Sequence, residues 1–143
     1  MLRKRGFTVM ELLTVIVIFI AMFAALTPFV RLAKKRVNRI NCVNNLRKLS
    51  LALHSYAADN KGKFPASLGA LYPKYVADEK TFDCPATRMV GAKDNSNYDY
   101  TPGLTESSPA KEVVVRDHDS NHKRAGGNEL RVDGSTEWIP VAR

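Results

Sequence analysis

No acidic residue occurs between Leu12 and Ala58 of this 143-residue chain, although seven basic ones do: Arg31, Lys34, Lys35, Arg36, Arg39, Arg47 and Lys48. No aromatic side chain interleaves that basic stretch. It therefore lacks the stacking platform on which single-strand nucleic-acid binders rely, and no nucleic-acid partner is expected. Cysteine is scarce, with Cys42 and Cys84 only, and C-x-x-C is absent. The three histidines, His54, His118 and His122, show no metal-type spacing with them, so a Cys/His zinc site is the weaker reading of the two thiols. No serine/histidine/acid or paired-carboxylate pattern has a spacing suited to nucleophilic or acid–base chemistry. His118 and His122, in a polar stretch, read as plain surface residues, and the chain reads as a non-enzyme. Internal repeats and low-complexity tracts are also missing.

What the chain does have is an apolar run from Phe7 to Val30, 24 residues of mostly Val, Ile, Leu, Phe, Met and Ala. As a helix it would extend about 36 Å at 1.5 Å per residue, enough for a bilayer core of about 30 Å. Arg3, Lys4 and Arg5 precede it, and one carboxylate, Glu11, lies inside its first part. A charge there costs from ~2.5 kcal/mol upward, so it needs a partner or a route to the interface. A secretory signal peptide would have a shorter apolar core and a small-residue cleavage site. An ordinary anchor explains the length but leaves Glu11 unexplained. Pro28 removes one helical hydrogen bond, so loosening around Ala24 to Pro28 is expected.

Beyond Val30 the apolar positions become periodic: Val37, Ile40, Val43, Leu46, Leu49, Leu53 and Tyr56, every three or four residues, with Asn60 and Gly62 as a stop signal. The expectation is one helix of about 50 residues, apolar all round in its first half and one-sided in its second. The basic residues at 31–48 read as contact with anionic headgroups, or as a solvated helix flank. From Asp59 to Arg143 there are 12 basic and 13 acidic residues, a net of −1. This part is rich in turn residues, with a short helical turn expected at Ser67 to Leu71. Strands are expected to start at Tyr98 and to run over Glu112 to Arg116, Asn128 to Val132 and Thr136 to Ile139. The last two flank Asp133-Gly134, the strongest hairpin signal in the chain.

Arg-Lys-Arg-Gly-Phe-Thr-Val-Met-Glu-Leu-Leu at 3–13, followed by the apolar span and Pro28, resembles the N-terminus of type IV pilin-like proteins. These include the pilins of type IV pili and the pseudopilins of type II secretion systems. The resemblance implies cleavage by a prepilin peptidase between Gly6 and Phe7, with N-methylation of Phe7. It also implies a role for Glu11 and Pro28 in assembly, the Glu11 carboxylate of one subunit meeting the terminal amine of the next. The alternative is that Glu11 snorkels to the interface. The fold implied is α+β, a pilin fold with a long N-terminal helix on a small antiparallel sheet. Its parts are a leader at 1–6, a transmembrane or filament-core helix at 7–30, an amphipathic continuation at 31–60 and a β-rich head at 61–143.

A second stretch is similar to the major pseudopilins of type II secretion: Asn41-Cys42-Val43-Asn44-Asn45-Leu46 through Tyr56, Asp59 to Pro65, and Cys84-Pro85-Ala86. The resemblance implies a Cys42–Cys84 disulfide closing about 43 residues, worth roughly 3–4 kcal/mol; the alternative is two buried thiols. The stretch from His122 to Trp138, with Asp133-Gly134, loosely resembles the His…Asp-Gly ending of such proteins. Many of them bind calcium in a C-terminal loop, where Asp117, Asp119, Asn121 and Asn128 supply oxygen here, though in an order that matches no clear calcium signature.

The function implied is a structural subunit of a secretion pseudopilus, a homo-oligomeric filament. Its partners would be other pseudopilins, an inner-membrane assembly platform, the prepilin peptidase and the membrane. A type IV pilus pilin, or a minor pilin acting in adhesion or DNA uptake, is the alternative. The location implied is single-pass in the cytoplasmic membrane with the head outside, then a periplasmic or cell-surface filament. Charge counting alone points the other way, because more basic residues follow the span than precede it. The resemblance, and the oxidising compartment a disulfide needs, favour the head outside.

Overall fold

The computed structural model describes residues 8–87, 90–119 and 121–141. The chain forms two compact units, divided after Lys34. One α-helix, α1 (Val9–Asp59), and a four-stranded antiparallel sheet make an α+β layout.

In the first unit α1 is apolar as far as Val30 except at Glu11, Thr14 and Thr27. From Val9 to Val30 the large apolar side chains are 41–80% exposed among the described residues. The mean hydropathy of the most apolar 18-residue window of α1 is 2.7, and α1 is long and apolar enough to cross a membrane. α1 continues through Pro28. The hydrogen bond that Pro28 cannot donate is replaced locally, because the Thr27 hydroxyl donates to the Ala24 carbonyl at 2.8 Å.

In the second unit α1 buries Cys42, Leu46, Leu49, Ala52, Leu53 and Ala57, a stripe at i, i+4, i+7 and i+11. The expected stripe is correct from Leu46 onward. Its first members are not: Val37 and Ile40 are each 52% exposed, and Cys42 takes the buried position. The apolar side chains of 37–43 therefore do not all belong to one covered face. The helix ends where Lys61 (φ 56°) and Gly62 (φ 77°) turn left-handed and the Gly62 amide bonds back to the Ala57 carbonyl at 2.8 Å.

The sheet runs in chain order: β1 (Tyr98–Tyr100), β2 (Val113–Asp117), β3 (Gly126–Arg131) and β4 (Thr136–Pro140). β3 and β4 form the hairpin expected around Asp133-Gly134, with Gly134 at φ 79°. β2 lies one residue later than expected, at both ends, and β3 begins two residues earlier. A register shift between Val113 and Val115 marks a bulge in β2. It has a direct consequence for side-chain direction. Val114 and Val115 are both buried, and the strict alternation that follows turns Arg116 outward and Asp117 inward. Without the extra residue Asp117 would face solvent. Leu46, Leu49, Leu71, Phe82, Val115 and Leu130 are fully buried in the core. At about 1.5–3 kcal/mol for each such side chain, this core is the main favourable term for the unit.

Candidate functional site

Glu11 sits at the start of α1 in a reciprocal arrangement with Thr8. The Thr8 amide donates to Glu11 Oε2 at 3.1 Å, the Glu11 amide donates to Thr8 Oγ1 at 3.3 Å, and the Thr8 hydroxyl also donates to Oε2 at 3.2 Å. This is a capping box, in which two amides left without helical partners are satisfied by side chains. The T-x-x-E spacing that announces it was there to be read in the sequence. One oxygen of the Glu11 carboxylate is thus engaged within the chain, while the residue remains exposed. Gly6 and Phe7, the expected cleavage pair, lie outside the described residues.

A second constellation is buried. Cys42 on α1, Cys84 in the loop after a 3-10 turn (Glu79–Phe82), Asp117 at the end of β2 and His122 on a 3-10 turn (Asn121–Arg124) bring one ligand atom each to within 4.8 Å of one another. The two sulfurs are 2.6 Å apart. Cys42 Sγ lies 3.3 Å from Asp117 Oδ1, Cys84 Sγ lies 3.8 Å from His122 Nε2, and His122 Nε2 lies 3.2 Å from Asp117 Oδ2. The side chains of His122 and Asp117 are 6% and 0% exposed. His122 is therefore no surface residue: the 3-10 turn and the adjacent ring of Trp138, edge-on at 5.3 Å, enclose it. Its backbone is left-handed (φ 50°), a conformation more common for His than for most residues and one that tends to cluster at functional sites.

Several groups fix this cluster from outside. The Asn128 amide and its side-chain Nδ2 both donate to Asp117 Oδ2 at 2.7 Å. Asn97 Oδ1 accepts from the Cys84 amide at 3.0 Å, and the Asn97 carbonyl accepts from Asn121 Nδ2 at 2.8 Å. Asn97 thus ties the Cys84 loop to the His122 turn. Asn45 holds the Asp83 carbonyl from α1 at 2.8 Å.

The charges follow from these contacts. Hydrogen bonding from Cys42, helped by His122, lowers the Cys84 thiol to about 6. Hydrogen bonding to Cys84, burial and the Asp117 carboxylate push the Cys42 thiol up. The hydrogen bonds to Asp117 and Cys84 outweigh burial and lift His122 to about 9. Asp117 is held below the usual carboxylate range, its burial outweighed by His122 and the Asn128 amide. In a Cys–His–Asp nucleophilic triad, the thiol and the carboxylate use opposite ring nitrogens of the histidine. Here both meet Nε2, and both sulfurs are buried. The arrangement suits holding one thing at its centre.

Of the four oxygen donors expected for calcium, Asp117 and Asn128 come together, but Asn128 contributes N–H groups. Asp119 turns to Arg116 at 3.0 Å, and Asn121 donates to the Asn97 carbonyl. The sequence reading paired the two cysteines by resemblance but did not connect Asp117 and His122 with them. No protein-family model, curated protein or solved structure matches this chain.

Proposed function

We propose that this chain is a filament subunit, a pseudopilin of a type II secretion system, held in the cytoplasmic membrane before assembly and packed through the apolar half of α1 afterward. The observation that carries this reading is a helix whose large apolar side chains from Val9 to Val30 are exposed and whose one carboxylate in that span, Glu11, stands in its first turn. In a subunit that only spanned a bilayer, Glu11 would serve as no more than the helix cap it forms with Thr8. A subunit that trades lipid for neighbouring copies can use it, because cleavage would free an ammonium at Phe7, four residues before Glu11 in the sequence. Pairing the Glu11 carboxylate of one copy with that ammonium on the next removes two costly charges together. The capping box supports the same reading: Thr8 holds one carboxylate oxygen and so limits the directions available to the other. The half-exposed Val37 and Ile40 extend the uncovered apolar surface along α1, and heterologous contacts of this kind propagate into filaments. The short head at 61–143 and the Cys84-Pro85 element favour a pseudopilus over a surface pilus.

The test replaces Glu11 by Ala and by Gln in cells that assemble the filament. Breaking a buried charge pair costs about 3–5 kcal/mol, so both variants should reach the membrane at normal abundance and lose sheared-filament yield by at least about tenfold. Wild-type yield from both would sink the proposal.

A further inference from the structure

We propose that the reduced chain binds one zinc-class divalent metal ion between Cys42 Sγ, Cys84 Sγ, Asp117 and His122 Nε2. Two thiolates, an imidazole and a carboxylate are a zinc-type donor set, and sulfur ligands select against calcium and magnesium. The geometry is close to what such an ion needs. Bonds of about 2.3 Å to sulfur and 2.0–2.1 Å to nitrogen or oxygen give a tetrahedron with edges of about 3.3–3.8 Å. Cys42 Sγ to Asp117 Oδ1, at 3.3 Å, and Cys84 Sγ to His122 Nε2, at 3.8 Å, are already near such edges, and all four ligand atoms lie within 4.8 Å of one another. The sulfur–sulfur edge, at 2.6 Å, has to open.

A disulfide alone leaves too much of the cluster without a purpose. It requires neither Asp117 nor His122, yet a bulge in β2 turns Asp117 inward and a left-handed backbone presents His122. Oxidation would also remove the Cys42 thiol proton, the one donor described for Asp117 Oδ1, leaving a buried carboxylate oxygen facing sulfur. A metal ion satisfies that oxygen. The clamp on the other oxygen by Asn128 is the outer-shell support that ligating carboxylates receive. Metal binding releases the protons carried by the empty site, and disulfide formation excludes the ion because it uses both sulfurs. The ion would fasten α1, the Cys84 loop, β2 and the His122 turn at one point.

The experiment uses the full chain in detergent, reduced, with cobalt(II) as the optical probe for zinc. The expected result is one cobalt per chain, thiolate-to-cobalt absorption with tetrahedral ligand-field bands, and displacement by zinc. Cys84→Ser should weaken the thiolate absorption, because Cys42 is then the one sulfur ligand left. Asn128→Ala, which leaves all four ligands in place, should weaken cobalt binding about 10–100-fold. Chain oxidised to the Cys42–Cys84 disulfide should take up none. The wild-type titration decides the matter even if variants misfold. A reduced chain with native far-ultraviolet dichroism and two titratable thiols that takes up no cobalt, or takes it up without thiolate absorption, overturns the site. So does equal uptake by the oxidised chain.

Discussion

Tyr100 and two glycines show how single positions set behaviour in this fold. The Tyr100 hydroxyl donates to the Pro65 carbonyl at 2.6 Å, and burial raises its pKa to about 12. A phenol ionises near 10 when unfolded, so the folded chain binds this proton more tightly. The stability it contributes is complete below about pH 10 and is lost as pH rises from 10 toward 12. Alkaline denaturation followed by dichroism should therefore begin above pH 10 and shift to higher pH in Tyr100→Phe, which has no proton to lose. Gly126 and Gly103 both have positive φ, 146° and 88°. A Cβ at Gly126 would meet the Ile139 carbonyl at 2.5 Å and the Trp138 ring at 2.7 Å, whereas one at Gly103 meets nothing within 4 Å. Both alanine variants carry the backbone penalty, but only Gly126→Ala carries the clash as well. Urea midpoints should show it the less stable by over about 1 kcal/mol.

α1 changes its task along its length, and the elements around it explain which parts were legible. Its existence, its passage through Pro28 and its end near Asn60 follow from hydropathy and stop signals. The stripe from Leu46 onward was legible because one turn of periodicity repeats three times. The exposure of Val37 and Ile40 was not, since an apolar residue at the right spacing looks the same whether this chain or another covers it. Leu46→Ala should therefore cost about 2–5 kcal/mol, while Leu51→Ala, on the same helix at a site 72% exposed, should stay within about 0.5 kcal/mol. Denaturant unfolding of the two variants makes the comparison. The β3–β4 hairpin announced itself through Asp133-Gly134, but the β2 bulge has no sequence signature. That bulge decides that Asp117 points inward, so the buried cluster was hidden with it. Its four members are spread from position 42 to 122, and no local spacing could join them.

At the scale of the whole molecule, charge and apolar surface are segregated. The net positive charge lies in the N-terminal third, and residues 59–143 are close to neutral. Basic residues beyond the apolar span would by themselves hold that side in the cytoplasm. The filament reading requires the opposite orientation. Alkaline phosphatase joined after Arg143 should be active, because that enzyme folds only where disulfides form. An inactive fusion in a stable, membrane-inserted protein would reverse the orientation. The metal site and the filament are independent: a chain that binds no cobalt could still polymerise, and one that fails to polymerise could still bind it.

The filament account depends first on an amino group being freed at Phe7, within reach of Glu11 on a neighbouring copy. Intact-mass and N-terminal peptide analysis of the protein taken from its own membrane measures this directly. The predicted result is a chain lacking Met1 to Gly6 and bearing one methyl group on the Phe7 nitrogen. A mature population that keeps Met1 through Gly6 would contradict it.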